Sequence, residues 1–312
     1  MAVKFSEIEY NNFGRCIKVQ NDIASFIVTV DVGPRVIAYS LNGKENVLYE
    51  DLERHAFNQD DGFEEYYYEG AKWYIYGGHR LWYSPEAFPN SYYPDNDPVR
   101  YTIDENTIKL TPKPQTENGV AYTMSFTLDE NSSKVTASHT ITNISDKELE
   151  IAPWCLTVMD KGGVEIIPQS RQETGLLANR LLVIWPYTDI TDERLYIGND
   201  YITLKQDENI SDAIKIGINN DRGWVSYLNK SQLFIKRYTH FEGAKYPDFG
   251  VSYETYTNDK IMEIESLGYL KVLNKGDSIS HDETWELVPC DDDFDRKDMS
   301  SVDAFVKAHI EK

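Results

Sequence analysis

The chain has 312 residues, a formal net charge of −21 and a hydrophobic content of 41%. Its length allows one large all-β domain or two medium domains. Its excess of acidic side chains repels phosphate backbones and anionic lipid, which argues against nucleic acid and membranes as partners. No run approaches 18 apolar residues, so no transmembrane helix is predicted. The first seven residues lack the apolar core of a signal peptide, so we expect the protein in the cytoplasm.

Alternation of apolar and polar residues predicts short β-strands along most of the chain. Turn signals such as Asn42-Gly43 and Asn118-Gly119 separate the candidate strands. In chain order the candidates are residues 23–31, 35–41, 99–103, 121–128, 133–141, 149–158, 182–185, 213–218, 223–228, 233–238, 251–256, 261–266 and 278–287. So many strands with so few helical patterns predict a large antiparallel β-sandwich. No linker or repeat divides the chain, so we predict a single domain over residues 1–312.

Two segments depart from the alternation. Residues 57–98 contain 13 aromatic residues among 42, and we interpret them as a long, ordered loop with a functional role. The residues from about 299 to 312 predict a short helical tail with Ser300 or Ser301 as its N-cap. The apolar stripe of that helix would contain Val302, Phe305, Val306 and Ile310.

The sequence predicts neither a cofactor nor a metal. It has no Gly-rich phosphate loop, no serine-nucleophile elbow and no zinc-protease motif. The three cysteines, Cys16, Cys155 and Cys290, are widely spaced and are expected to be reduced thiols. The acidic runs at residues 95–97 and 291–293 lack the ligand spacing of a calcium loop, so we expect a turn and a solvated tail.

The stretch YIYGGHRLWYSPEAFPNSYYPDND, residues 74–97, suggests a saccharide ligand. Aromatic faces suit the C–H faces of a sugar, and a few fixed polar groups suit its hydroxyls. Gly77 and Gly78 let the backbone approach a ligand, and His79 and Arg80 follow them directly. Trp82, Trp154 and Trp185 are each candidates to stack on a sugar or to pack in the core, and we expect one of them to line the site.

Four segments in order resemble the galactose mutarotase-like superfamily, in a bacterial branch distant from the true aldose 1-epimerases. They are residues 33–37 (GPRVI), 77–82 (GGHRLW), 142–157 (TNISDKELEIAPWCLT) and 262–287 (MEIESLGYLKVLNKGDSISHDETWEL). The resemblance covers roughly residues 5–288, and its individual motifs are only moderately specific. It implies a supersandwich of large twisted antiparallel sheets with a sugar site on a concave sheet face.

The resemblance also implies site residues. In aldose epimerases of this superfamily a glutamate on a late strand removes the anomeric hydroxyl proton, and a histidine protonates the ring oxygen. Glu263 matches the glutamate, with Glu265 two residues further on the same strand face. The usual position of the histidine corresponds to the stretch around Trp154, which leaves His79 or His240 to supply the proton.

We therefore predict Glu263 and His79 as catalytic base and acid. Arg80, Trp82, Trp154, Glu265, Asp248 and His240 are the predicted saccharide-binding residues. His139 alternates with apolar neighbours and is expected in the core, and His281 and Glu283 are expected to support the site from the adjoining strand.

Other functions remain open at this point. The same surface would suit a saccharide-binding protein without catalysis, a glycoside-processing enzyme, or a protein-interaction domain, because tyrosine and tryptophan also anchor protein interfaces. The superfamily resemblance favours a monomer or a homodimer.

Overall fold

The computed structural model describes residues 2–57 and 61–311. Outside the described residues lie Met1 of the predicted domain, residues 58–60 of the predicted aromatic loop and Lys312 of the predicted helical tail. Within the described ranges the strands and helices, in chain order, are β1 (Lys4–Glu9), β2 (Arg15–Gln20), β3 (Ala24–Thr29), β4 (Val36–Leu41), β5 (Ala56–Phe57), α1 (Asp61–Tyr66), β6 (Trp73–Tyr74), β7 (Gly78–Ser84), a 3-10 helix (Asn90–Tyr92), β8 (Arg100–Asp104), β9 (Thr107–Thr111), β10 (Val120–Leu128), β11 (Val135–Asn143), β12 (Leu149–Asp160), β13 (Val164–Pro168), β14 (Leu182–Ile184), β15 (Leu195–Ile197), β16 (Tyr201–Lys205), β17 (Ile214–Ile218), β18 (Trp224–Asn229), β19 (Gln232–Tyr238), β20 (Tyr253–Thr257), β21 (Ile261–Leu267), β22 (Lys271–Leu273), β23 (Ser278–Pro289) and α2 (Met299–His309).

Two large antiparallel sheets contain nearly all the strands. The first, sheet A, has the order β1-β2-β3-β4-β7-β12-β21-β20-β17-β14, with β22 added beside β12. The second, sheet B, has the order β15-β16-β13-β18-β19-β23-β11-β10-β9-β8. The prediction of an all-β sandwich is therefore confirmed.

The interior lies between the inner faces of the sheets. Strands β10 and β11 of sheet B alternate strictly: Tyr122, Met124 and Phe126 of β10 are buried while the residues between them are half-exposed. Sheet A supplies Phe26, Val28, Cys155, Met262 and Ile264 to the same core. Alternation in β12 sends Cys155 and Met159 to this core and Trp154, Leu156 and Val158 to the opposite, outer face.

The aromatic segment covers that outer face of sheet A. Phe63, Trp73 and Tyr92 pack with residues of β7 and β12 in a second apolar cluster. A buried ion pair anchors the end of the segment: Arg35 Nη2 lies 3.2 Å from Asp95 Oδ1. Burial raises the pKa of Asp95. The structure corrects the interpretation of residues 57–98 as a loop, because β7, one of the central strands of sheet A, lies inside it.

The C-terminal helix α2 packs against the outer face of sheet B. Val302, Phe305 and Val306 contact Leu233 and Ile235 of β19, which confirms the predicted helix and its apolar stripe. The predicted cap was wrong by two or three residues: Asp298 is the N-cap and accepts a hydrogen bond from the Ser300 amide. In the described part of the chain, neither helix has the length and apolar character needed to cross a bilayer.

Candidate saccharide site

A cleft of about 220 Å³ lies on the outer face of sheet A. Its floor is formed by β7, β12, β21, β20 and β17, and the aromatic segment borders one side. The lining residues are Trp73, Ile75, Arg80, Trp82, Glu86, Tyr92, Trp154, Leu156, Tyr187, Lys215, Tyr256, Asn258, Ile261 and Glu263.

Strand register places the polar groups of the floor in rows. Glu263 of β21 is level with Tyr256 of β20, and Tyr256 is level with Lys215 of β17. Two strand spacings of about 4.8 Å put the Cα atoms of Glu263 and Lys215 about 10 Å apart. The carboxylate of Glu263, the ring of Tyr256 and the ammonium group of Lys215 therefore all line the cleft, and the Lys215 ammonium extends past β20 to the Trp154 ring, 4.8 Å from its centroid.

Arg80 and Glu263 form an ion pair in this cleft. Nη2 of Arg80 lies 3.0 Å from Oε1 of Glu263, and the exposed fractions of the two side chains are 3% and 12%. The Arg80 guanidinium also lies 4.4 Å from the ring centroid of Trp82. Nε and Nη1 of Arg80 are buried without a hydrogen-bond partner among the described residues. Arg80 thus lines the cleft with donor groups that the described residues do not saturate.

Lys215 is held by two buried carboxylates. Its Nζ lies 2.8 Å from Glu254 Oε2 and 3.1 Å from Glu265 Oε2. Burial opposes the charge of Lys215, but Glu265 and Glu254 outweigh that effect and raise its pKa well above the usual value. Burial also raises the pKa of Glu265 and that of Glu254.

Glu265 lies beneath the cleft and positions two of its lining residues. It is fully buried and accepts a 2.8 Å hydrogen bond from Trp154 Nε1 as well as the bond from Lys215. Glu265, which was predicted to bind a saccharide, is not among the residues that line the cleft. A ligand in the cleft would contact Trp154 and Lys215, whose orientations depend on Glu265.

The walls of the cleft are aromatic. Trp82 lies between Trp73 and Trp154, with ring centroids 5.3 and 5.4 Å apart, and Tyr92 packs edge-on against Trp82. Trp82 and Trp154 both line the cleft, although we expected only one of the three candidate tryptophans to do so. Trp185 contacts the site through Lys215, whose Nζ lies 4.9 Å from its ring centroid.

The structure does not bring His79 to the cleft. His79 precedes Arg80 on β7, so its side chain points to the opposite face and is fully buried between the sheets. It lies among Phe126, His139 and Trp285. The prediction treated this segment as a loop. In a strand, successive side chains point to opposite faces, so Arg80 lines the cleft while His79 points into the core.

Hydrogen bonds define the tautomer of His79. His139 Nδ1 donates to the carbonyl of His281 at 2.9 Å, so a neutral His139 accepts at Nε2. His79 Nε2 lies 2.8 Å from that atom and donates to it, which leaves His79 Nδ1 to accept from the Thr157 hydroxyl at 2.9 Å. Burial, followed by His139 and nearby cations, lowers the pKa of His79 well below its usual value. His79 is therefore a neutral structural residue.

His139, His281 and Glu283 belong to the same interior network. His139 is in the core, as expected. Glu283 forms an ion pair with Lys236 at 2.9 Å and accepts from Ser266, and Ser266 also contacts His281 Nε2 at 2.8 Å. The network supports the inner face of β21, whose outer face carries Glu263.

Asp248 and His240 lie in the loop after β19 and do not line the cleft. Asp248 accepts a long hydrogen bond from Ser84 Oγ at 3.4 Å, at the end of β7. The ring of His240 stacks on Tyr246 with centroids 4.9 Å apart, and burial lowers its pKa. Neither residue is in position to contact a ligand between Glu263 and Lys215.

Lys215, Tyr187 and Tyr256 were missed as site residues. The available signal was Lys215 itself, a lysine between Ile214 and Ile216 in a strand with no other charge. A lysine in so apolar a strand requires a buried partner. The identity of that partner depends on strand order, because Glu254 and Glu265 come from β20 and β21.

Three groups of side chains among the described residues bring potential metal ligands within 4.8 Å of one another. Two of them share Glu283, for which Lys236 already supplies a counter-charge. The third contains Cys290, Asp292 and His309 beside α2, where His309 Nε2 lies 2.9 Å from Asp292 Oδ2. All three lie outside the cleft.

Comparisons with known proteins identify the fold. No family model and no curated protein matches the sequence. Among solved structures, a galactose mutarotase-like protein from Lactobacillus casei superposes with a TM-score of 0.54 at 10% identity, over 88% of this chain and 100% of that one. The chain has the galactose mutarotase-like fold.

Other solved structures share this fold. A provisionally assigned aldose 1-epimerase from Klebsiella pneumoniae gives a TM-score of 0.60 at 12% identity, over 95% of this chain and 83% of that one. A TPR-domain containing protein from Parabacteroides distasonis gives 0.60 at 16% identity over 89% of this chain, which spans about half (48%) of that protein. At these identities the galactose mutarotase-like likeness shows the architecture alone.

Proposed function

We propose that the cleft of this protein binds a saccharide. The observation that carries the proposal is the combination of two indoles packed edge to face, Trp82 and Trp154, with charged groups, Arg80, Glu263 and Lys215, around one opening of sugar-ring size. Indole faces bury the C–H face of a pyranose, and the charged groups hydrogen-bond its hydroxyls. The carbohydrate-related names of proteins with this fold support the same ligand class.

We further propose that the ligand is a free aldose whose anomers the protein interconverts. Glu263 takes the O1 proton, the C1–O5 bond breaks, and its electron pair passes to O5, which accepts a proton. Rotation of the carbonyl and the reverse steps close the ring as the other anomer. Lys215, rather than His79, would donate the proton to O5, because Lys215 lines the cleft together with Glu263 whereas His79 is buried between the sheets.

The pKa of Lys215 limits this chemistry. General acids work best when their pKa is near the operating pH, and the pKa of Lys215 is raised well above its usual value. We therefore expect acceleration at the low end of acid–base catalysis, about 10²-fold. The second candidate is a site that binds a saccharide without reaction. The raised pKa of Lys215 favours it, because a weak acid donates its proton less readily.

The test has two stages. Saturation-transfer NMR and thermal shift with a panel of free hexoses and pentoses measure binding, and Trp82→Ala should abolish it. Anomer exchange of every bound sugar is then followed by NMR beside buffer. Binding with exchange no faster than buffer selects the binding-only candidate. A protein that binds none of the sugars but captures a stoichiometric protein partner would overturn the proposal in favour of a protein-interaction domain.

A further inference from the structure

A second compartment borders the cleft. This compartment has a volume of about 240 Å³. It shares Ile75, Asn258 and Ile261 with the first compartment, which holds Glu263 and Lys215. The two volumes therefore adjoin along these three residues on the outer face of sheet A.

The second compartment has its own ligand-contacting groups. Tyr49 supplies a half-buried aromatic ring, and Lys260 an exposed ammonium group. His55 also lines it, held at Nδ1 by Asp51 Oδ1 at 2.9 Å. Asp51 is almost fully buried, and it also accepts from the backbone amide of His55 at 2.7 Å. The carboxylate thus fixes the imidazole against the opening.

We infer that the ligand is an oligosaccharide of at least two sugar units, with the second unit in the compartment of Tyr49, His55 and Lys260. This inference rests on the proposed saccharide function. Each compartment pairs apolar or aromatic lining with a few polar groups, which is the composition that one sugar ring requires. Asn258 lies at the shared border, where its Oδ1 accepts from the backbone amides of Lys260 and Ile261 and its Nδ2 donates to Tyr256 Oη at 3.2 Å. The second hydrogen of its amide group remains to bond a ligand between the two units.

The charges indicate a neutral second unit. Lys260 supplies a positive charge, whereas Asp51 and Glu53 are two carboxylates that both contact His55, with Glu53 Oε2 2.9 Å from Nε2. The carboxylates outnumber the lysine here, so this compartment gives no preference for an anionic substituent. Hydroxyl groups can bond to both signs of charge.

Calorimetry with matched sugars tests the inference. The probes are glucose and galactose, the disaccharides maltose, cellobiose and lactose, and the trisaccharides maltotriose and cellotriose. We expect at least one disaccharide to bind about tenfold more tightly than its monosaccharide, the factor contributed by one hydrogen bond to a charged donor. Lys260→Ala should remove most of that gain and leave monosaccharide affinity unchanged.

Two further variants keep the test specific. Lys109→Ala, on an exposed position of β9, is the matched control and should change neither affinity. Tyr49→Ala, with its fold verified by thermal melting, should also reduce only the disaccharide gain. Monosaccharide binding with no tighter disaccharide, or equal weakening of both ligands by Lys260→Ala, would overturn the inference while the proposed function stands. Absence of binding to every probe would overturn both.

Discussion

Nη2 of Arg80 lies 3.0 Å from Oε1 of Glu263, and this ion pair connects β7 to β21 across the intervening strand β12. It orients a carboxylate at the edge of the cleft and keeps it beside a permanent positive charge. The pair also leaves two arginine nitrogens free of partners among the described residues. Glu263 thus has two functions that a substitution can separate: the proposed removal of a proton from the sugar, and the contact with Arg80.

Glu263→Gln should abolish anomer exchange while preserving saccharide binding. The amide keeps the size and an acceptor oxygen for Arg80, but it cannot take a proton. We expect the exchange rate to fall about 10²-fold, to the rate in buffer, with the dissociation constant changed by less than about threefold. NMR exchange and calorimetry measure the two quantities. Exchange that survives the substitution would move the base to another carboxylate.

Lys215→Met should destabilise the protein strongly. Removing the ammonium leaves Glu254 and Glu265 buried side by side without their counter-charge. Breaking a buried pair in this way costs about 3–5 kcal/mol. Urea denaturation at pH 7 measures the loss, and Lys109→Met, at an exposed position, should change the free energy of unfolding by less than about 0.5 kcal/mol. Similar stability of both variants would contradict the importance of the buried cluster.

The pKa of Glu165 predicts a pH dependence of stability. Burial raises it to about 8, despite hydrogen bonds from Tyr253 and Thr255. An unfolded glutamate releases its proton near pH 4.3, so between about pH 4.3 and 8 the folded state binds more protons than the unfolded state. Stability from this group is thus fully present below about pH 4.3 and is lost as the pH rises through about 8.

Glu165→Gln should flatten this dependence. The amide needs no proton to remain neutral, so the variant should gain stability relative to the wild type between pH 5 and 8.5, by up to about 5 kcal/mol. Denaturation of both proteins at pH 5, 6.5 and 8.5 gives the slope of the free energy of unfolding against pH for each. Because Glu254 and Glu265 remain in both proteins, the difference between the two slopes isolates Glu165. Parallel profiles would show that Glu165 is ionised in the folded protein at neutral pH.

His79→Asn should affect stability but not the ligand. The substitution disturbs the hydrogen bonds to Thr157 and His139 inside the core, at a cost of about 1–3 kcal/mol. Saccharide affinity of the folded variant should stay within about twofold of wild type. Arg80→Met, one residue away on the cleft face, should instead weaken affinity. A loss of affinity in His79→Asn comparable to that in Arg80→Met would restore His79 to the site.

The all-β architecture was predictable from the sequence because strand alternation is a local property. The faces of β10 and β11 can be assigned from their residues alone, since one face of each packs in the interior and the other is partly exposed. The apolar stripe of α2 is readable for the same reason. Glu263, which lines the cleft, was predicted as a site residue through the resemblance of its strand and of the turn that follows it.

Other features of the site depended on tertiary structure. The central position of β7 could not be read locally, because sheet A is covered on both faces and its strand therefore lacks polar alternation. The loop interpretation placed His79 and Arg80 on one surface. In strand β7 these consecutive residues point to opposite faces of sheet A. Lys215 lies at the site only because strand order places β17 beside β20, with β21 next in the sheet. Its ammonium group therefore meets Glu254 of β20 and Glu265 of β21. Such pairings depend on contacts between residues distant in the chain, which local pattern does not encode.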